Sequence, residues 1–224
     1  MKKALFTLTL LMGLPLMAGA QETPDYDWAQ FGRYSADNAQ CCGKAPVAVI
    51  MGDSITDGWL QQDPAFFKDN NIAGRGISGQ VTSQMLVRFR RDVLDLHPRY
   101  VVTVAGINDI ARNNGYIAEE NILGNIESMC ELAALHGIIP VLTTLFPAGK
   151  IGWRPGITDA LEQVKSFNEK IRAYARTNGL ECIDFEPLMA DENGITSSEL
   201  CTDGIHPTLK GYKVLEEAVL KVLK

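Results

Sequence analysis

Residues 46–59, which read PVAVIMGDSITDGW, decide the fold of the chain. The first six of them form a near-continuous apolar run, which is typical of a parallel β-strand covered on both faces. The run ends in the polar turn Gly52-Asp53-Ser54. We therefore expect the first strand of an α/β domain here, with the turn at its carboxyl end, where such domains bind their ligands.

The pattern of this first strand recurs along the chain. Four further apolar runs lie at residues 71–75, 100–105, 138–145 and 180–185. Amphipathic helical stripes alternate with them: three stripes end at Pro98, Gly137 and Gly179, and a last helix begins near Thr208. This alternation predicts a single doubly wound α/β domain with five parallel strands over residues 45–224.

The first twenty residues, MKKALFTLTLLMGLPLMAGA, have the organisation of a secretory signal. Lys2 and Lys3 precede an apolar stretch, and the small residues 18–20 form a cleavage pattern. A membrane anchor is the alternative, but the apolar stretch is short and is interrupted by Gly13 and Pro15. We therefore expect export to the periplasm or the cell exterior, with residues 21–44 packing on the domain.

The charge of the chain argues against some partners. The net charge is −6, and it becomes −8 without the predicted signal, which carries two lysines and no acid. An acidic chain with no basic run is a poor ligand for nucleic acid. Beyond residue 20, no run is long and apolar enough to predict stable insertion into a membrane. The sequence carries no signature of an oligomeric state.

The five cysteines are too few for a disulfide scaffold in 224 residues. Export permits a bridge between Cys182 and Cys201, which would restrain the chain on either side of it. No C-x-x-C pair occurs and the three histidines are scattered, so we expect no structural zinc and no other cofactor.

Polar or glycine-containing turns follow the predicted strands. Such turns lie at the carboxyl ends of parallel strands, which meet at one edge of the sheet. We therefore expect these four turns to converge: Gly52-Asp53-Ser54, Gly76-Ile77-Ser78-Gly79, Gly106-Ile107-Asn108-Asp109 and Asp203-Gly204-Ile205-His206.

These turns contain the groups that acyl transfer requires. A serine hydroxyl needs an adjacent base, usually a histidine that a carboxylate orients. His97 and His136 lie at predicted helix ends and have structural explanations there. His206 lies in a loop three residues after Asp203, so the aspartate can reach back to the imidazole ring. The sequence therefore favours Ser54 as a nucleophile that these two residues activate.

The four turns resemble the sequence blocks of the SGNH, or GDSL-like, hydrolases. GDSITDGW is similar to the first block, GRGISGQ (residues 74–80) to the second, GIND (106–109) to the third and DGIH (203–206) to the last, in family order. The surrounding residues resemble the branch that contains the platelet-activating-factor acetylhydrolase catalytic subunits. The match runs from about residue 45 to the C-terminus.

The resemblance implies a single flavodoxin-like three-layer domain and a serine esterase without a cofactor. It implies that Ser54 is the nucleophile and that Asp203 and His206 activate it. It also implies an oxyanion hole formed by the backbone N–H groups of Ser54 and Gly79 and the side-chain amide of Asn108. The expected reaction is hydrolysis of a small acyl ester through an acyl-enzyme.

The chain departs from the family pattern at a few positions. Ile55 replaces the leucine of the GDSL motif, which conserves volume. Val81 interrupts a stretch in which threonine is common, and Thr82 comes one place later, so the cap of the following helix is undefined. The G-x-S-x-G motif is absent, which argues against the ordinary α/β-hydrolase fold.

Two other functions stay open at this point. A flavodoxin-like binding module without catalysis would share the fold but would give no role to the Asp-x-x-His motif. A metal-dependent hydrolase could use Asp53, Asp57, Asp109 and Asp203, because strand-end carboxylates suit Mg²⁺, but it would leave the serine idle.

The sequence defines the substrate only coarsely. Trp59, close to the nucleophile, and Trp153 and Arg154, in the long loop at 146–157, are candidate substrate-binding residues, although each could equally serve packing. The chain has no strongly amphipathic interfacial helix. This favours short acyl groups, such as acetyl groups on carbohydrate, over the substrates of a lysophospholipase or thioesterase.

Overall fold

The computed structural model describes residues 27–223, so the predicted signal at 1–20 lies outside the described residues. A five-stranded, all-parallel sheet forms the centre, in the order β2-β1-β3-β4-β5. The strands are β1 Ala48–Gly52, β2 Ile72–Gly76, β3 Tyr100–Val104, β4 Ile139–Thr143 and β5 Glu181–Ile183. The predicted flavodoxin-like α/β fold with five parallel strands is confirmed.

Helices cover both faces of the sheet. They are α1 Ser35–Gln40, α2 Ser54–Gln62, α3 Pro64–Asp69, α4 Thr82–Asp92, α5 Ile107–Ile110, α6 Glu119–Leu135, α7 Ala160–Asn178, α8 Phe185–Met189 and α9 Leu209–Val222. Helix α6 packs against α4 and α7, whereas α2 packs against α9. Right-handed crossovers place these two groups on opposite faces, which gives three layers. None of the helices within 27–223 is long and apolar enough to cross a membrane.

The strand register aligns the turns that the sequence singled out. Gly52 at the end of β1 lies beside Gly76 of β2 and Val104 of β3. Gly76 has to be glycine, because a Cβ there would lie 2.2 Å from the backbone nitrogen of Asp57 in α2. The start of α2 therefore rests directly on the end of β2, and the two turns share one edge of the sheet.

The described part of the N-terminal segment, residues 27–44, lies against this edge. The side chain of Gln80 donates to the carbonyl of Ala29 at 2.8 Å. The hydroxyl of Tyr34, which is buried, donates to the carbonyl of Gly76. These contacts support the turn after β2, while the domain boundaries at residues 20 and 44 stay predictions.

The two cysteines considered for a bridge are free thiols in the structure. Cys182 lies in β5, where its neighbour in the register is Leu142 of β4. Cys201 is buried and forms an isolated antiparallel bridge with Pro207. The loop of His206 is thus closed by backbone pairing rather than by a disulfide.

Candidate active site

Ser54 lies at the junction between β1 and α2 and is the first residue of α2. Asp53 caps this helix, and its Oδ1 accepts a 2.9 Å hydrogen bond from the backbone N–H of Ile55. An aspartate at this position satisfies one of the free N–H groups of the first turn and is favoured by the helix dipole. The cap holds the serine hydroxyl at the carboxyl edge of the sheet.

The side chains of Ser54, His206 and Asp203 form a continuous hydrogen-bond chain. Ser54 Oγ lies 2.9 Å from His206 Nε2. His206 Nδ1 lies 2.6 Å from Asp203 Oδ2, while Asp203 Oδ1 accepts from the backbone N–H groups of Ile205 and His206 at 2.9 and 2.7 Å. The structure brings together the three residues that the sequence predicted, in the order serine, histidine and aspartate that activation of a serine hydroxyl requires.

The hydrogen bonds at Asp203 keep it ionised. Partial burial alone would raise the pKa of this carboxyl, but the hydrogen bonds from the ring and backbone of His206 and from the N–H of Ile205 lower it overall. An ionised carboxylate beside Nδ1 favours the tautomer with a proton there, so that Nε2 is free to accept the proton of Ser54.

Helix α9 connects the loop that contains His206 to helix α2, which begins at Ser54. Thr208 caps α9, since its hydroxyl accepts from the N–H of Gly211 at 3.2 Å. The hydroxyl of Tyr212, one turn further on, donates to the carbonyl of Ile55 at 2.8 Å. This buried contact bridges 157 positions of the chain and sets the distance between the two halves of the triad.

Asn108 occupies the third turn and is almost fully buried, with 2% of its surface exposed. Gly106 precedes it with φ at +126°, a backbone conformation that glycine adopts readily. The side-chain nitrogen of Asn108 donates to Asp53 Oδ2 at 3.3 Å and to the carbonyl oxygen of Gln80 at 3.1 Å. Its amide is therefore oriented toward the turns after β1 and β2, and both of its N–H groups have protein acceptors in this state.

Asp109 caps helix α4, whose cap could not be identified from the sequence because Val81 precedes the helix. Its carboxylate accepts from the backbone N–H of Thr82 at 3.0 Å and from the Thr82 hydroxyl at 2.7 Å. The cap thus comes from the third turn rather than from α4 itself. Spacing along the chain could not reveal this contact.

The four carboxylates of the metal hypothesis have separate partners. Asp53 and Asp109 cap α2 and α4, Asp57 accepts from the hydroxyl of Ser78 at 2.7 Å, and Asp203 holds His206. Within residues 27–223, no three His, Cys, Asp or Glu side chains come together as a metal-binding group. In this part of the chain the four carboxylates therefore contact separate partners and do not form one ligand set.

Arg88 is a support of the site that the sequence reasoning missed. Its fully buried guanidinium donates to the carbonyls of Gly52 at 3.0 Å and Arg75 at 2.9 Å, and to Gln80 Oε1 at 2.6 Å. It also pairs with the buried Asp92 one turn along α4 at 2.9 Å. One cation therefore ties together the ends of β1 and β2. In the sequence, this role could have been inferred from an Arg–Asp pair spaced i,i+4 on the apolar side of a helix.

The structure separates the three candidate substrate-binding residues. The prediction that Trp59 contacts the substrate is wrong. Its side chain is fully buried, stacks between Phe66 and Tyr212, and donates a hydrogen bond to Glu216 at 3.2 Å. Five residues after the nucleophile, a helical side chain points about 140° away from it.

The other two candidates line a common cavity, and Trp153 lies beside His206. The indole ring of Trp153 lies 6.0 Å from the imidazole ring of His206 and is 39% exposed. Arg154 donates to the carbonyl of Ala111 at 2.9 Å. Both residues line an open cavity of about 480 Å³ together with Arg112 and Pro155.

Comparison with known proteins identifies the family of the chain. The sequence profile of the GDSL-like lipase/acylhydrolase family matches residues 50–214. That match spans most of the chain and includes all four turns. The chain belongs to this family. The assignment places it among the carboxylic ester hydrolases.

Solved structures of the family are similar over almost their whole length. A proposed acylhydrolase from Bacteroides fragilis is 42% identical, with 89% of this chain and 98% of that chain covered and a TM-score of 0.85. A GDSL-like lipase from Bacteroides thetaiotaomicron is 40% identical, with 88% and 98% covered and a TM-score of 0.84. An uncharacterised lipoprotein of Bacillus subtilis is 34% identical over 80 residues, which are 34% of this chain and 33% of the lipoprotein.

The buried carboxyls give this acylhydrolase a specific pH dependence of stability. Burial raises the pKa of Asp53 to about 7, with a further increase from the charge of Asp109 and a decrease from His206. Burial also raises the pKa of Asp109 to about 6. In the unfolded chain an aspartate titrates near about 3.9. Between about pH 4 and pH 7 the folded state therefore binds more protons, and stability falls as pH rises.

We expect the melting temperature to fall between pH 5 and pH 8, and Asp53→Asn to flatten this fall because it removes the larger contribution. Thermal unfolding of both proteins across this range measures the effect. The exposed Asp95 offers a matched control, since Asp95→Asn should keep the wild-type slope. Equal slopes for the wild type and Asp53→Asn would contradict the assignment.

Proposed function

We propose that the protein hydrolyses short acyl esters, acetyl esters above all, with Ser54, His206 and Asp203 as a catalytic triad. The observation that carries this proposal is the hydrogen-bond chain from Ser54 Oγ through His206 to Asp203, with distances of 2.9 and 2.6 Å. Each contact is within the range expected of an activated nucleophile and its base.

The proposed reaction has two stages. Ser54 Oγ attacks the ester carbonyl while His206 Nε2 takes the hydroxyl proton, and the imidazolium then protonates the departing alcohol. Water next attacks the acyl-enzyme with the same histidine as base, which releases the acid and restores the serine. Asp203 stays ionised throughout and stabilises the charged imidazole ring.

The oxyanion hole is assigned to the backbone N–H groups of Ser54 and Gly79 and to the side-chain amide of Asn108. The N–H of Ser54 lies at the start of α2, where the helix dipole favours negative charge. Asn108 donates to Asp53 at 3.3 Å, the longer of its two bonds. We infer that the developing oxyanion replaces this bond, since catalytic contacts often tighten only with substrate bound.

The surroundings of the triad favour a polar alcohol such as a sugar. His206 and Asp203 have side chains that are 38% and 50% exposed, so the catalytic groups face solvent. A cavity of about 560 Å³ borders Asp203 and Gly204. Its lining combines charged and hydroxyl side chains, namely Lys150, Thr158, Glu162, Ser198 and Thr202, with the apolar side chains of Leu161 and Ile195. The polar groups can bind the hydroxyls of a sugar, and the apolar side chains leave room for only a small acyl group beside them.

A series of p-nitrophenyl esters from acetate to octanoate, beside acetylated oligosaccharides, tests the substrate assignment. We expect kcat/KM to be highest for acetate and at least about tenfold lower for octanoate, because a site for a small acyl group discriminates against added methylenes. Lysophospholipid and acyl-thioester substrates belong in the same series. A rise in kcat/KM with chain length would instead favour the lysophospholipase or thioesterase alternative.

Export is part of the proposal. It rests on the signal pattern of residues 1–20, which ends before Gln21. The N-terminal residue of the protein recovered from its native host tests it: Gln21 is expected, and an intact Met1 in the cytoplasm would contradict export.

A further inference from the structure

Asn113 lies where three parts of the candidate site meet. The turn after α5 brings it there: the N–H of Arg112 bonds to the carbonyl of Asp109 at 2.8 Å, and the N–H of Asn113 bonds to that of Asn108 at 3.0 Å. Arg112 has φ at +55°. These are the two hydrogen bonds and the left-handed residue of a Schellman motif. The motif folds the chain back, so that Asn113 returns to Asn108.

The side chain of Asn113 makes three hydrogen bonds. Its Nδ2 donates to Asn108 Oδ1 at 2.8 Å and to the carbonyl oxygen of Gly79 at 3.3 Å. Its Oδ1 accepts from the indole N–H of Trp153 at 3.0 Å. Two of these partners, Asn108 and Gly79, are the proposed oxyanion-hole residues outside α2. The third partner, Trp153, is the aromatic residue beside His206.

These partners fix the orientation of two amides in succession. An indole N–H can only donate, so the atom of Asn113 that faces Trp153 has to be the oxygen. The nitrogen of Asn113 then faces Asn108, and the atom of Asn108 that receives it has to be the oxygen. The nitrogen of Asn108 is thereby directed to the opposite side, toward Asp53 and Gln80.

We propose that Asn113 is a positioning residue for the oxyanion hole, locked by Trp153, that keeps the side-chain nitrogen of Asn108, rather than its oxygen, directed at the reacting carbonyl. This inference rests on the proposed triad and oxyanion hole. A reversed Asn108 amide would present its oxygen to the developing negative charge and would repel it. During the reaction the side-chain nitrogen of Asn108 loses its hydrogen bond to Asp53. The hydrogen bond that the oxygen of Asn108 accepts from Asn113 therefore holds the side chain in place throughout.

The role predicts a graded response to two substitutions. In Asn113→Ala the oxygen of Asn108 can bond to water, while Asp53 and Gln80 still favour the correct amide orientation, so we expect kcat to fall by about tenfold. In Asn113→Asp an acceptor faces the oxygen of Asn108 at 2.8 Å and forces the amide to reverse, so kcat should fall by about 100-fold. KM on p-nitrophenyl acetate should change little for either variant, and both variants should stay folded at the assay temperature.

Matched variants separate this role from a general effect. Asn114→Asp adds the same charge one residue later, on an exposed side chain, and should keep the wild-type kcat. Trp153→Phe keeps a ring beside His206 but removes the N–H, and should lower kcat by a few fold. Wild-type kcat in Asn113→Asp, or a loss that merely follows a lower melting temperature, would overturn the inference.

The experiment also distinguishes this inference from the proposed function. If the wild type is labelled by a fluorophosphonate at Ser54 and Asn113→Asp is as active as the wild type, only the positioning role fails. If Ser54 is not labelled and Ser54→Ala is active, the triad itself is wrong.

Discussion

Ser54→Ala is expected to lower kcat on p-nitrophenyl acetate by about a million-fold, the order of loss found when a serine hydrolase loses its nucleophile. The substitution removes the atom that attacks the carbonyl, and His206 at 2.9 Å is then left with no proton to accept. Turnover under saturating substrate, with a purification control for contaminating esterases, measures the loss.

The fold should tolerate this substitution. Asp53 rather than Ser54 provides the cap of α2, and alanine is well suited to the first turn of a helix. We expect a melting temperature within about 2 °C of the wild type, because a small change at this half-buried position leaves the core and the helix cap intact and alters stability by less than about 0.5 kcal/mol. Appreciable turnover by a folded Ser54→Ala variant would show that the nucleophile lies elsewhere.

His206→Ala should cause a loss of similar size, about 10⁵- to 10⁶-fold in kcat, because the serine hydroxyl is a weak nucleophile without its base. The informative measurement is the double variant Ser54→Ala/His206→Ala. If the two residues act as one unit, the double variant is no slower than either single variant. Asp203→Asn should lose less, about 10⁴-fold, because the base remains but its tautomer is no longer fixed.

Losses that multiply in the double variant would contradict a triad, since independent residues contribute additively in free energy. His136→Ala is the matched control. This histidine lies at the end of α6, where its Nδ1 contacts the carbonyl of Leu132 at 2.8 Å, remote in sequence from every turn of the site. Its replacement should leave kcat at the wild-type value.

The sheet could be predicted from the sequence because burial on both faces leaves a direct trace in composition. The apolar runs at 46–51 and 100–105 became β1 and β3 within two residues of the expected bounds. Even the weak apolar run at 71–75 forms β2. The close approach of α2 requires a glycine at the end of this strand. Strand β5 is shorter than expected, because Asp184 leaves the sheet to bond with Arg172 and Thr144.

The convergence of Ser54, His206 and Asp203 was also predictable, since these residues come from short motifs whose order matches a family. The supports of the site were not. Arg88 and Asn113 contact partners on other elements, such as the carbonyls of Gly52 and Gly79, and no local sequence pattern predicts such contacts. Trp59 was misjudged because nearness in sequence to Ser54 says nothing about which side of a helix a residue occupies.

The capping aspartates show why spacing alone left alternatives open. Asp53 and Asp109 could have been metal ligands by sequence, since both follow strands. Their hydrogen bonds to the N–H groups of Ile55 and Thr82 show that they instead begin two helices. The fold therefore uses buried carboxylates to build the edge on which Ser54 lies.

The site of fluorophosphonate modification tests the central claim most directly. Trypsin should release residues 45–68 as one peptide, in which Ser54 is the only serine. We predict one equivalent of adduct on Ser54, loss of activity in proportion to labelling, no labelling in His206→Ala, and no effect of EDTA. An adduct on another peptide, or activity that EDTA removes while Ser54 stays unmodified, would contradict the account.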